Sequence, residues 1–120
     1  MWRMNFTDRI PGSSDDQIAG LYEFVGLVAA NRDKDLSIAK IVNEPHSTAR
    51  RHYHQDSKEI YIITKGSADL VVDQSLVPVL PGDVIVILPH EWHYLITHAE
   101  PVEFLAISVP PYSPDDFLVE

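Results

Sequence analysis

The segment that decides the fold reads His52-Tyr53-His54-Gln55-Asp56-Ser57-Lys58-Glu59, followed by Gly66 and, beyond the turn Pro81-Gly82-Asp83, by His93. Two histidines at i and i+2 point to different sides of a helix. On a strand, where side chains alternate, they leave from one face. The segment therefore belongs on a sheet. Gln55 to Lys58 is polar turn material, so a bend can return the Glu59 carboxylate to the histidine face. Imidazoles beside a carboxylate suit a divalent transition metal, and the stretch reads as a metal site.

Outward from this segment the chain reads as strand after strand. Runs of β-branched and aromatic residues cover 37–42, 50–54, 59–64, 68–73, 77–80, 84–88, 94–97 and 102–109. The turns between them are marked by Lys65-Gly66, Asp73-Gln74, Pro81-Gly82-Asp83, Pro89-His90 and Ala99-Glu100-Pro101. Many short strands at even spacing, with no long helix between them, indicate an antiparallel sandwich or barrel. Upstream, Ser13-Ser14-Asp15-Asp16 is a capping sequence for a short helix from Gln17. Leu21 to Ala30 reads equally as strand or helix.

The 120 residues suffice for one domain and one core. Apolar residues at 45% and charged residues at 22% place the chain among globular proteins. The absence of cysteine excludes disulfides, thiolate ligands and a cysteine nucleophile. The first residues lack the apolar core of a signal peptide and no stretch is long enough to span a bilayer, so a soluble, cytoplasmic protein is expected. The net charge of -9 is lopsided: all nine Lys and Arg fall at or before Lys65, and residues 67–120 carry nine acids and no base. Duplex nucleic acid and anionic membranes both need a basic patch, so neither is an expected partner.

Written as a pattern, His52, His54, Glu59 and Gly66 form H-x-H-x4-E-x6-G, which resembles the first conserved motif of the cupin superfamily. Gly82, Leu88, His90, His93 and Thr97 keep the spacing of the second motif, with its Gly and His matched in type and its proline one place late at Pro89. The glycine that opens the first motif is His46 here. His90 replaces a turn glycine of the second motif, and Thr97 its asparagine. Ser37-Ile38-Ala39, Glu59-Ile60-Tyr61 and Ser108-Val109-Pro110-Pro111-Tyr112-Ser113 are similar to a mannose-6-phosphate-isomerase-like subset of small bacterial single-domain cupins. The resemblance implies an all-β double-stranded β-helix, the jelly-roll barrel, over residues 37–113. Residues 1–36 would then be an extension that supplies a strand to a homodimer, and 114–120 a tail.

The resemblance also implies that His52, His54, Glu59 and His93 ligate one divalent ion, which could be Fe, Mn, Ni, Co or Zn. Three neutral imidazoles and one carboxylate would leave it a formal charge of about +1 and open positions for water or substrate. Strand parity selects the neighbours: Arg50 should share the inward face of His52 and His54, and Tyr61 that of Glu59, while Arg51 and Tyr53 point away. Arg50 and Tyr61 are the candidate substrate contacts, Arg50 as a grip for carboxylate or phosphate. His90 and Tyr61 are the candidate acid/base groups. These readings lead to a metal-dependent enzyme, isomerase, lyase or dioxygenase, acting on a small polar and anionic molecule. The alternative is a non-catalytic binding or sensor protein of the same fold.

Overall fold

The computed structural model describes residues 33–120 and the backbone of one earlier strand, 23–28. Among the described residues ten strands lie in chain order: β1 Glu23–Val28, β2 Ser37–Asn43, β3 His52–Tyr53, β4 Lys58–Lys65, β5 Ala68–Val72, β6 Ser75–Val79, β7 Val84–Ile87, β8 His93–Thr97, β9 Val102–Val109 and β10 Leu118–Val119. They form two five-stranded antiparallel sheets, one ordered β1-β2-β9-β4-β7 and the other β10-β3-β8-β5-β6. The helical element among the described residues is a 3₁₀ turn, Pro114–Asp116. Among the described residues, no helix is long and apolar enough to cross a membrane.

Alternation of side chains builds the core. β2, β8 and β9 bury every second residue along their whole lengths, and β4 does so as far as Ile63. Ile41, Ile63 and Phe104 from the first sheet meet Leu70, Val79 and Leu95 from the second. Complete burial of chains this size supplies roughly 1.5–3 kcal/mol each, and Leu70 and Phe104 are essentially inaccessible. This packing closes one end of the sandwich. At the other end the inward positions turn polar: Ser37, Glu59 and Ser108 lie side by side across β2, β9 and β4.

The strand reading from sequence holds for β2 and for β4 to β9, with differences of one or two residues at their ends. Leu21 to Ala30 resolves to a strand over Glu23–Val28, which pairs with β2 of its own chain. The capping sequence at 13–16 lies outside the described residues. The segment 114–120, read as a tail, instead ends in β10 and pairs with β3. Among the described residues β6 and β7 each end a sheet, and Leu76, Leu80, Val84, Val86 and Leu88, on these strands or beside them, are exposed.

Candidate metal centre

Three histidines come from one sheet or its margin and the glutamate from the other. His52 and His93 are direct partners across β3 and β8. His54 follows β3, and Glu59 faces them from β4. All four are buried, and their ligand atoms lie within 4.8 Å of one another.

Backbone carbonyls set the orientation of each ring. His52 Nδ1 lies 2.9 Å from the Arg50 carbonyl, His54 Nδ1 2.7 Å from that of Asp116, and His93 Nδ1 2.9 Å from that of Glu91. A carbonyl oxygen only accepts, so every Nδ1 donates, and in the neutral ring every Nε2 is left with its lone pair. His54 Nε2 and Glu59 Oε1 are in direct contact, and His93 Nε2 lies 3.6 Å from the same oxygen. These three atoms are buried with no hydrogen-bond partner. Electron pairs turned on one another without a donor are costly in a dry interior, and a cation between them removes the cost. The donor set thus fits a divalent ion held by three Nε2 atoms and one carboxylate.

The electrostatics agree. Burial, with the neighbouring His93, pushes His52 down to about 3, so it stays a neutral donor. For His54 burial acts downward as well, but the adjoining Glu59 carboxylate and the Asp116 carbonyl outweigh it and raise the group. Burial would raise Glu59, yet His54 and His93 hold it well below the usual carboxylate range. The pocket is built to keep a carboxylate ionised and to draw a positive charge to it.

Tyr61 is buried on the Glu59 face of β4, its ring 4.6 Å from that of Phe104 and 6.1 Å from that of His93. Burial pushes its phenol well above the usual value. The charge of Glu59 and a hydrogen bond to it act in the same direction.

Arg50 does not follow its expected parity: it is exposed, and the buried neighbour is Ala49. Thr48 pairs with Ile96 and His52 with His93. Four steps on one strand thus oppose three on the other. The extra residue is a bulge that resets the alternation between Ala49 and His52. His90 also lies away from the ligand atoms. It is exposed and sits in the left-handed region with φ 71°, where its N–H donates to the His54 carbonyl at 2.8 Å. Its ring stacks on Tyr53, which alternates away from His52 and His54. A turn residue in the place of a glycine anchors the turn through its backbone, and its ring is left on the outer side. Arg51 lies on that side too, 4.5 Å from the Trp92 ring centre and 3.3 Å from Glu120.

Four further residues at the site escape a reading by motif. Ser37 and Ser108 were legible in principle, since parity places both on the Glu59 wall. Asp116 and Phe117 were not, because nothing in sequence spacing ties them to histidines some sixty positions earlier. Asp116 accepts from the N–H groups of Gln55, Asp56 and Ser57 at 2.7–3.1 Å. Burial opposes its ionisation, but these three donors outweigh it and lower the group. The Phe117 ring stacks on His52 at 4.3 Å.

Comparison with known proteins agrees with this architecture. The model of a cupin domain matches residues 40–108. No curated protein sequence matches the chain. Among solved structures, the polyketide cyclase RemF from Streptomyces resistomycificus is 19% identical with a TM-score of 0.82, over 99% of this chain and 84% of that one. The Streptomyces nucleoside dehydratase Pac13 is 14% identical with a TM-score of 0.76, over 100% of this chain and 91% of that one. A sugar phosphate isomerase of the cupin superfamily from Silicibacter pomeroyi is 25% identical with a TM-score of 0.67, over 79% of this chain and 61% of that one. The two sheets, the strand order and the family match lead to one conclusion: the chain belongs to the cupin domain family.

Proposed function

We propose that the protein is a metal-dependent isomerase or lyase acting on a small polar molecule, with His52, His54, Glu59 and His93 as the ligands of one divalent ion. The convergence of three histidines on a buried carboxylate, with the Nε2 atoms of His54 and His93 unpaired, is the observation that supports this reading. A bound ion there supplies Lewis acidity toward a carbonyl or hydroxyl oxygen. Tyr61 keeps the proton on its phenol and can donate a hydrogen bond to a substrate oxygen as charge develops there. Ser37 and Ser108 offer hydroxyls on the same inner wall, which suits a substrate rich in hydroxyl groups. No Lys or Arg is buried among the described residues, so the positive charge for an anionic substrate would come from the ion rather than from Arg50. The likeness to the sugar phosphate isomerase and to a dehydratase supports proton-transfer chemistry over oxidation.

A second reading, binding without chemistry, is favoured by one fact: among the described residues the interior holds no His, Asp or Glu near the four that is free to act as a base. Proton NMR in D₂O separates the two. Metal-loaded protein with a panel of sugar phosphates and hydroxy acids should catalyse solvent exchange or loss of a carbon-bound proton. Tyr61→Phe should slow it by about 10²-fold or more. A ligand that binds and never exchanges supports the second reading, and oxygen uptake by iron-loaded protein would point to a dioxygenase.

The exposed apolar residues on and beside the edge strands β6 and β7 support the pairing of two copies, since a closed two-fold dimer can cover them. Light scattering at micromolar concentration should give twice the chain mass of 13.6 kDa. A monomer contradicts it.

A further inference from the structure

The last eight residues touch three of the four proposed ligands or the chain that carries them, although Pro114 to Glu120 lie outside every motif. The Asp116 carbonyl receives His54 Nδ1, which fixes the ring so that Nε2 faces Glu59. The Asp116 carboxylate gathers three successive N–H groups of the loop between His54 and Glu59. Residues 55–57 separate His54 from the start of β4, so the shape of this turn sets how far apart the two ligands stand. Phe117 covers the face of His52, and Val119 pairs with His52 along β3. Asp116 is itself buried, and Ser113 caps the turn that presents it.

We infer that residues 113–120 form a strap that positions the metal ligands, with Asp116 as its principal positioning residue, and that docking of the strap and binding of the ion reinforce one another. This rests on the metal reading given above. Groups that orient ligands from behind commonly govern affinity by about 10- to 100-fold. Two events that order the same segment are reciprocally coupled.

Titration of the full chain with Co²⁺ tests the inference, since the visible spectrum of that ion reports its coordination geometry. Asp116→Ala should weaken Co²⁺ binding by about 10- to 100-fold and alter the spectrum. Asp116→Asn keeps an acceptor oxygen without the charge and should fall between it and the wild type. A residue that only supported the fold would lower stability and leave the affinity and spectrum of the folded protein unchanged. If the alanine variant does not fold, hydrogen exchange in the wild type decides together with Asp116→Asn: Co²⁺ should slow amide exchange over residues 116–120. Wild-type binding with unaltered Asp116→Asn affinity and spectrum, and no added protection of the strap, overturns the inference alone. Wild-type protein that takes up no ion overturns the metal reading and the inference with it.

Discussion

Replacing His93 by Ala should reduce the affinity for a divalent ion by more than about 100-fold, beyond the range that supporting groups reach. His93 is almost inaccessible, its Nδ1 is committed to the Glu91 carbonyl, and its Nε2 has no hydrogen-bond partner. Its loss leaves two imidazoles and a carboxylate around a cavity that nothing else fills. His52→Ala and His54→Ala should act alike, since each ring is held in the same manner from behind. Glu59→Gln is the gentler probe: it keeps the shape and removes the charge that the site is arranged to hold. Calorimetric titration of zinc into each purified variant checks the series. Unchanged stoichiometry and affinity in His93→Ala would remove that residue from the centre.

The second large effect lies at the far end of β4. Gly66→Ala should cost more than about 3 kcal/mol, a large part of the 5–15 kcal/mol that holds a typical domain together. Gly66 has φ 76°, and a Cβ there would run into the carbonyl oxygen of Pro101 and crowd the Val102 backbone. Those atoms lead into β9, the strand that joins β2 to β4, so they cannot give way alone. Gly82 supplies the control. Its φ of 93° is equally unusual, but a Cβ there would meet open space. Gly82→Ala should therefore cost only the backbone strain, about 1 kcal/mol. Urea unfolding of the two variants gives the comparison, and equal losses would refute the argument from close approach.

The difference between these positions shows what a sequence carries. Alternation made β2, β4 and β9 legible, because strands of seven or eight residues repeat the pattern enough times to fix its phase. β3 has only two paired residues, and the bulge beside it shifts the phase. Parity therefore placed His52 and His54 correctly and failed at Arg50, two residues away. Glu59, Tyr61 and His93 face the interior as parity expects, because each sits on a strand long enough for the alternation to hold. His90 was misplaced for a different reason. A turn residue with positive φ has no strand face, and in the folded chain its N–H donates to the His54 carbonyl while its ring lies outside.

The contribution of Asp116 and Phe117 was invisible for a third reason. Contacts between the chain end and residues some sixty positions earlier depend on β10 pairing with β3, and two residues are too few to announce a strand. Buried, unpaired polar atoms made the centre recognisable in the folded chain, because in a packed interior lone pairs without donors call for a cation.

The most direct measurement is an anomalous difference map from crystals of the protein grown with zinc, without an affinity tag. One peak per chain is predicted, about 2.0–2.2 Å from the Nε2 atoms of His52, His54 and His93 and from a carboxylate oxygen of Glu59. No peak at that position at saturating zinc, or a peak held by other residues, would contradict the account.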